Sequence, residues 1–338
     1  MSCLNPQYRK NPKYRPNKSN GGVPPVCPDP RLMLLRYDCG KCYECRRKRA
    51  SHWRFRLLQE YKYSPTKRFH FVTFTFSEDS LFSLRSEFPD LDDNCIAKVA
   101  VRRFLERYRK RYGVSLRHFL VTELGGKNGR IHLHGIVMDC KAGRYRGSKY
   151  IIDMDLFHSI WRYGYCFFGW CNERSISYVT KYIMKPDPYH PTFRPKLLLS
   201  PGIGSDYFRD LSVLRFHRSS SDGVWYCVSS TGHKLSMPRY YRDKIFSEDE
   251  RLRHSLDLLD NPPPFVFRGR EFSSFWSFHR AVYAFYDYTL NLGVSDALCA
   301  FRDNLYPDES FDLFDPLIES WSQIRIFNDY LCPQVLGY

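Results

Sequence analysis

The chain has no long hydrophobic run, and its acidic residues are too few to balance its basic ones. No apolar stretch approaches the roughly 20 residues that a membrane-spanning helix needs, so we expect no membrane partner. The polar residues 1–6 lack the apolar core of a signal peptide, which predicts a cytoplasmic protein. In a reducing cytoplasm we expect the 12 cysteines to be thiols or metal ligands rather than disulfides.

The charge that is present is distributed unevenly. Lys and Arg number 52 against 36 Asp and Glu, a formal net charge of +16. Residues 1–70 hold 17 basic and 4 acidic side chains, whereas residues 246–338 hold 7 basic and 15 acidic ones. A content of 43% hydrophobic residues excludes a disordered chain. A basic front with an acidic tail indicates a nucleic-acid-binding body joined to a separate module, with plain solubility as the alternative explanation.

Composition and predicted elements divide the chain into four segments. These are a basic, Cys-rich segment (1–68), a core of strands and helices (69–190), a linker with a hairpin extension (191–245) and an acidic, mostly helical module (246–338). The core has the order strand, helix, strand, strand, helix, strand and a further helix. This split βαβ order is that of ferredoxin-like and RNA-recognition (RRM) folds, and it predicts an α+β domain with an antiparallel sheet and helices on one side. The extension is predicted to pair residues 213–217 with 224–228.

His132 and His134 share one face of a predicted strand, residues 130–138. Side chains alternate faces along a strand, so the two imidazoles project to the same side. In that arrangement they could hold a divalent metal. Histidines that are structural or simply exposed are the alternative explanation of this spacing.

Glu123 joins the two imidazoles if the hairpin has the expected register. A turn formed by residues 126–129 places Glu123 opposite His132, and directly opposed residues of an antiparallel pair share a face. A slip of one residue would turn the carboxylate away. Two imidazoles, one carboxylate and open positions favour Mg²⁺ or Mn²⁺, bound also by water and a substrate phosphate.

Four polar side chains form a stripe on a predicted helix, residues 175–185. Positions i, i+3, i+4 and i+7 lie on one side of a helix, and here they are Tyr178, Lys181, Tyr182 and Lys185. The opposite side, which is expected to pack on the sheet, carries Ile176, Val179 and Ile183. A phenol becomes a nucleophile when a metal and lysines stabilise the developing charge. The stripe therefore predicts phosphodiester cleavage through a phosphotyrosine, with an ordinary packing pair of tyrosines as the alternative.

Cys39, Cys42 and Cys45 are spaced closely enough to share one metal. Tetrahedral zinc needs a fourth ligand, for which Cys3 and Cys27 are the candidates. A bacterial-type iron–sulfur cluster would need a cysteine at position 49, where the chain has arginine. We therefore expect a structural Zn²⁺ site, with free thiols as the alternative. The zinc would anchor a basic run that is expected to contact DNA, namely Arg46, Arg47, Lys48 and Arg49.

Three segments resemble, in order and spacing, the motifs of a known family. Phe71-Val-Thr-Phe-Thr-Phe76 resembles the first rolling-circle motif and Arg130-Ile-His-Leu-His134 the second. Tyr178-Val-Thr-Lys-Tyr-Ile-Met-Lys185 resembles the third, in its two-tyrosine form. The chain is thereby similar to the replication initiators of small single-stranded-DNA microviruses, of the gokushovirus-like kind, within the HUH endonuclease class. The acidic tail carries no motif of this family.

The resemblance implies an HUH-type sheet and rolling-circle initiation. In such a reaction one tyrosine nicks the viral strand at the origin and keeps its 5′ end as a phosphotyrosine, while the free 3′ hydroxyl primes synthesis. The second tyrosine then cleaves the regenerated origin, and the ends are joined. The resemblance also favours Cys3 as the fourth zinc ligand, because similar proteins have an N-terminal cysteine followed by proline. Arg130, in the second motif, is counted with the DNA-binding residues.

The implied partners are single-stranded or supercoiled origin DNA of the virus and, from the host, a DNA polymerase and a helicase. The implied location is the host bacterial cytoplasm. Two other functions stay open on the residues alone: a non-catalytic, zinc-containing nucleic-acid-binding protein, and an HUH relaxase or transposase. A binding protein has no need of two tyrosines on one polar face, which favours the enzyme.

Overall fold

The computed structural model describes residues 3, 6–126, 128–147, 149–183, 190, 193–267 and 270–291. The chain divides into two compact units, one formed by residues 50–261 and the other by residues 1–49 and 262–338. Lys185 and residues 292–338 of the acidic tail lie outside the described residues. None of the helices in the described part of the chain has the length and apolar character needed to cross a membrane.

The regular elements are numbered along the chain. The strands are β1 (Gln7–Lys10), β2 (Leu34–Tyr37), β3 (Phe69–Phe74), β4 (Arg117–Gly125), β5 (Arg130–Met138), β6 (Gly143–Arg146), β7 (Lys149–Ile152), β8 (Cys166–Trp170), β9 (Leu197–Leu199), β10 (Tyr226–Val228), β11 (Lys234–Ser236), β12 (Phe265–Phe267) and β13 (Arg270–Phe272). The helices are α1 (Tyr43–Tyr63), α2 (Glu78–Glu87), α3 (Asp93–Tyr112), α4 (Met154–Trp161), α5 (Glu173–Lys181), α6 (Leu211–His217), α7 (Arg239–Ile245), α8 (Glu248–Asp260) and α9 (Phe275–Asn291).

A five-stranded sheet lies at the centre of residues 50–261. Its strand order is β8-β3-β5-β4-β9, and every neighbouring pair is antiparallel. The two middle strands, β3 and β5, come from the two halves of the strand–helix–strand repeat. This interleaving is what the split βαβ plan requires. The predicted α+β class with an antiparallel sheet is therefore confirmed.

One face of the sheet packs against α3 and α4. Helix α3 begins after Asp92, whose side chain accepts a hydrogen bond from the Cys95 N–H, and it ends at Gly113 in the left-handed conformation. Phe74 of β3 lies against Trp161 of α4, with ring centroids 4.7 Å apart. These large, fully buried rings make this face the main apolar core of the domain.

The opposite face of the sheet packs against α1 and α5, so the expectation of helices on one side only was wrong. Trp53 of α1 lies 5.3 Å, centroid to centroid, from Phe119 of β4. Ile176 and Val179 of α5 are buried in the same cluster. Strand β4 is buried on both faces over its middle residues. Such two-sided burial indicates layers above and below the sheet.

The predicted pairing of residues 213–217 with 224–228 was also wrong. Residues Leu211–His217 form α6, because the Asp210 side chain accepts a hydrogen bond from the Ser212 N–H at 2.8 Å and caps the helix. Strand β10 pairs instead with β11. In the turn between them Gly232 has a φ of 81°, which favours glycine.

The second unit contains two short hairpins and the last described helix. Strands β1 and β2 form one antiparallel pair, and β12 and β13 form the other. Helix α9 packs on the second pair through Phe278, which stacks on Phe265 at 5.6 Å between ring centroids. The predicted helical character of the segment after residue 246 is present in α8 and α9.

We expect Gly135→Ala to destabilise the sheet. A Cβ atom at this position in β5 would clash with the Phe119 carbonyl oxygen and lie 2.7 Å from Leu120 Cδ2. Overpacking of this kind costs about 1–3 kcal/mol of the free energy of unfolding. Urea unfolding followed by intrinsic fluorescence measures the loss.

The matched control is Gly169→Ala in β8, where the added Cβ would meet its nearest atom, Phe167 Cε1, at 3.6 Å. This variant should stay within about 0.5 kcal/mol of the parent protein. Equal unfolding midpoints for the two alanine variants would contradict the close approach of β5 and β4 at Gly135.

Candidate active site

The β4–β5 hairpin has the register that the sequence predicts. Glu123 is paired with His132, and Leu124 with Ile131. The Gly129 N–H donates to the Gly125 carbonyl oxygen at 2.9 Å and closes the turn. Because directly opposed residues share a face, the Glu123 carboxylate lies on the same side of the sheet as both imidazoles.

Glu123, His132 and His134 form a compact group of ligand atoms. Oε2 of Glu123 lies 2.8 Å from Nε2 of His134 and 3.2 Å from Nε2 of His132. The ligand atoms of the three residues lie within 4.8 Å of one another. The three side chains are partly buried, at 13–21% exposure. This donor set could hold a metal ion with positions left open toward solvent.

Both imidazole rings are oriented by their other nitrogen. Nδ1 of His132 lies 3.1 Å from the Arg130 carbonyl oxygen, which can only accept, so Nδ1 carries the proton and Nε2 is a free lone pair. Nδ1 of His134 lies 3.0 Å from the Thr73 hydroxyl. Gly125 leaves room for the first ring, because a Cβ there would lie 3.0 Å from His132 Cε1. Outer contacts of this kind are what metal-binding histidines require.

Helix α5 presents its two tyrosines to this group. The Asn172 side chain accepts a hydrogen bond from the Ser175 N–H at 3.0 Å, so the helix begins at Glu173, two residues earlier than predicted. The regular helix ends at Lys181, and a tighter turn continues through Ile183, whereas the prediction extended it to residue 185. The three apolar residues expected to pack on the sheet, Ile176, Val179 and Ile183, are buried in the core cluster.

Tyr178 and Tyr182 lie one helical turn apart with their hydroxyl oxygens 2.8 Å from each other. The ring of Tyr182 stacks on the His134 ring, with centroids 4.4 Å apart and an interplanar angle of 10°. The Tyr178 side chain is 50% exposed. Burial, the hydrogen bond with Tyr178 and the nearby Glu123 carboxylate all raise the pKa of Tyr182. The two phenols and the ligand group therefore form one continuous site.

The remaining predicted residues are placed as follows. Lys181 is exposed on the same helical stripe as the tyrosines, whereas Lys185 lies outside the described residues. Arg130 forms an ion pair with Glu78. The basic run Arg46, Arg47, Lys48 and Arg49 lies in the first turns of α1 and belongs to the second unit. Within that run Arg47 pairs with Glu44 at 2.9 Å and Lys48 with Asp38 at 3.0 Å.

The four cysteines Cys3, Cys39, Cys42 and Cys45 converge in the second unit. Their sulfur atoms lie within 4.8 Å of one another, with Cys3 Sγ 4.0 Å from Cys42 Sγ and Cys39 Sγ 3.8 Å from Cys45 Sγ. The Cys39 N–H points at Cys3 Sγ at 3.2 Å, as expected for a sulfur that carries negative charge. Cys27 is not in this group, and its thiol donates to the Asp29 carbonyl oxygen. The cluster could hold a metal ion.

Several residues at the site were not identified from the sequence. Thr73 could have been found from strand alternation, because it is paired with His134. Arg54 of α1 carries no such signal, since it donates from Nε to Ser177 Oγ at 2.9 Å across 123 positions of sequence. Arg174 was missed because the predicted helix began one residue after it.

The chain was compared with known protein families and structures. Residues 69–187 match a family model described as replication-associated protein ORF2, or gene 2 protein. The chain is 28% identical over 236 residues to the replication-associated protein ORF4 of Chlamydia phage 1, a match that covers 62% of this chain and 54% of the relative. The chain thus spans about half the length of this relative. No solved structure matches.

The matched residues include the strand with Thr73, the hairpin with Glu123 and both histidines, and the helix with the two tyrosines. The family model and the phage relative agree with the resemblance stated from the motifs. They confirm that this chain is related to the replication initiators of microviruses.

Proposed function

We propose that the chain is an HUH-type DNA endonuclease and strand transferase that starts and finishes rolling-circle replication of a small single-stranded-DNA phage. The observation that carries the proposal is the meeting of three ligand residues and two tyrosine hydroxyls in one site, joined where Tyr182 stacks on His134. The similarity to replication-associated proteins supports it.

Glu123, His132 and His134 are the residues that would hold Mg²⁺ or Mn²⁺. One carboxylate and two neutral imidazoles suit these ions when water and phosphate oxygens complete the coordination. The bound cation would supply charge neutralisation at the scissile phosphate and its leaving oxygen. The contacts of the two Nδ1 atoms with the Arg130 carbonyl and the Thr73 hydroxyl keep both Nε2 atoms turned toward Glu123.

In the proposed cleavage, a tyrosine oxygen attacks the scissile phosphorus and the bond from phosphorus to the 3′ oxygen breaks. The phenol proton is lost, the 3′ oxygen leaves as a hydroxyl after taking up a proton, and the 5′ phosphate stays esterified to the tyrosine. Tyr178 is the better placed nucleophile for the first cleavage, because its side chain is half exposed. The Tyr182 hydroxyl, 2.8 Å away, donates a hydrogen bond to the developing phenolate.

Lysine charge completes the proposed cleavage site. Lys181 follows Tyr178 by three positions on the exposed stripe, where its ammonium adds positive charge beside the phosphate. Lys185 is assigned the same role from its place in the sequence stripe.

The proposed second cleavage uses Tyr182 on the regenerated origin. The free 3′ hydroxyl then attacks the first phosphotyrosine, the phenol leaves, and the strand is closed. One phosphodiester is exchanged for another at each step, so no nucleotide hydrolysis is needed. We propose viral origin DNA as the partner, with a host polymerase and helicase acting on the opened strand in the host bacterial cytoplasm. Structural zinc on the four cysteines would hold the basic run Arg46–Arg49 for DNA contact.

Removal of both phenol hydroxyls should abolish the covalent intermediate. The full-length protein is incubated with single-stranded origin DNA and Mn²⁺, and a protein–DNA adduct is followed by denaturing electrophoresis. The Tyr178→Phe, Tyr182→Phe double variant should fall to background because no nucleophile remains. Tyr178→Phe alone should lose most of the first adduct. Tyr182→Phe should keep it and lose strand joining, since phenylalanine preserves the stack on His134.

Circular dichroism of the phenylalanine variants checks that they fold like the parent. An adduct that persists in the double variant would exclude the tyrosine mechanism. Absence of any adduct from the parent protein with every divalent metal tested would favour a non-catalytic binding protein.

Glu123→Gln should weaken binding of Mn²⁺ independently of any reaction. The substitution keeps the side-chain volume and removes the negative charge between the two imidazoles. Loss of an outer-shell partner alone costs about 10–100-fold in metal affinity, so loss of a ligand should cost at least as much. Calorimetric titration of the DNA-free protein with Mn²⁺ measures it. Glu78→Gln, an exposed carboxylate paired with Arg130, is the matched control and should bind like the parent.

Cys39→Ser should remove one equivalent of zinc from the purified full-length protein, measured by plasma mass spectrometry. It should also lower the melting temperature, because binding free energy of a structural zinc is folding free energy. Cys27→Ser is the matched control and should keep its zinc, since Cys27 lies outside the cluster. Equal zinc content in the two serine variants would refute the assignment.

A further inference from the structure

Strand β8 forms an edge of the central sheet and exposes three large aromatic side chains on or next to it. Tyr165, Phe167 and Trp170 are 60%, 52% and 66% exposed. Natural proteins protect sheet edges with charges, prolines or covering segments, because an exposed apolar edge invites association. Three exposed aromatics on one edge therefore indicate a surface that takes a partner.

Phe167 lies on the same face of the sheet as the proposed cleavage site. It is paired with Thr73, and Thr73 is paired with His134. Directly opposed residues share a face, so the three side chains form one row across β8, β3 and β5. Two strand spacings amount to about 10 Å, which places the Phe167 ring within reach of a nucleotide next to the reacting phosphate.

Gly169 keeps the floor of this surface open. It follows Phe167 by two positions and is paired with Phe71. A Cβ at this position would lie 3.6 Å from Phe167 Cε1 and 3.9 Å from Phe71 Cβ. Phe71 in turn lies 6.0 Å from Tyr178 and 6.2 Å from His134, between ring centroids. The result is an aromatic floor that runs from the sheet edge to the tyrosine pair.

A basic groove adjoins this floor. Its volume is about 710 Å³, and Phe71, Gly169 and Tyr178 are among its lining residues. Three cations line it, namely Arg54, Arg174 and Lys181, against the single carboxylate of Glu173. Ser230 and Thr231, from the turn between β10 and β11, line another part of it. Positive charge beside exposed aromatic rings is the combination by which proteins bind single-stranded nucleic acid.

We infer that Phe167 and the open floor at Gly169 form a base-stacking subsite for single-stranded DNA, with the phosphates of the strand along Arg54, Arg174 and Lys181. The inference rests on the proposed function for the direction of the strand, whose scissile phosphate lies at Tyr178. A base would stack on the Phe167 ring, and no base-specific hydrogen bond is required. The subsite therefore positions the strand and tolerates different bases.

The first test measures binding without cleavage. The full-length protein in EDTA is titrated into a fluorescein-labelled oligothymidylate, and fluorescence anisotropy gives the affinity. Phe167→Ala should weaken binding about tenfold, and Phe167→Trp should restore it, because stacking needs an aromatic face. Phe82→Ala, which removes a 76% exposed ring on α2, is the matched control and should bind like the parent.

Gly169 provides a second pair of variants that does not remove any contact. Gly169→Ala should bind like the parent, since its Cβ makes ordinary contacts. Gly169→Trp should block the floor and weaken binding at least as much as Phe167→Ala. Crosslinking with 5-iododeoxyuridine locates the base directly, and the crosslinked peptide should contain Phe167.

The outcomes separate this inference from the proposed function. Unchanged affinity in both Phe167→Ala and Gly169→Trp, while the parent still forms its metal-dependent DNA adduct, would overturn the subsite alone. Binding that depends on Phe167 and Gly169 in a protein that forms no adduct would support the subsite and reject the chemistry. A concentration-dependent dimer of the parent that disappears in Phe167→Ala would show that a second copy occupies the edge, and would also overturn the inference.

Discussion

The pairing of β4 with β5 is the constraint on which the site depends. Side chains alternate along each strand, so one register places Glu123 between the two imidazoles and a shift of one residue places it on the other face. The register is specified twice. The turn at residues 126–129 sets it from one end, and burial on both faces of β4 opposes any slip, because a slip would exchange two different sets of core contacts. The ligand geometry thus follows from packing far from the ligands.

The position of the nucleophiles depends on the same sheet through α5. Ile176, Val179 and Ile183 pack into the core cluster that contains Phe119 and Ile136. With this apolar side fixed, the period of the helix leaves little freedom for the other side, and the tyrosines face the histidines. The helix can be short because its first turn is capped by Asn172 and its last turn is tightened. Catalytic placement here is a result of core packing on one face and local capping at the helix ends.

What the sequence allowed us to predict follows from the range of the interactions involved. The hairpin register and the helical stripe depend on residues less than a dozen positions apart, and turn chemistry and periodicity describe such distances well. The contacts that were missed are distant in sequence. Arg54 meets Ser177 across 123 positions, and α1 covers a sheet face that was expected to lack helices. The error at residues 211–217 was local, since the cap at Asp210 outweighed the β-branched and aromatic residues that favoured a strand.

His134 is the point at which ligand and nucleophile positions become one problem. Its ring is held by Thr73 at Nδ1, by Glu123 at Nε2 and by the Tyr182 ring on its face. The Tyr182 ring therefore has a positioning role that is independent of its hydroxyl, whereas the Tyr178 hydroxyl has open space on the groove side. Two tyrosines one turn apart on a helix that ends beside a histidine cannot be equivalent: one stacks and one is exposed. In the proposed reaction this asymmetry gives the order of use, because the exposed phenol meets the incoming strand first. The stacked phenol becomes accessible to DNA only after the strand or the end of the helix has moved.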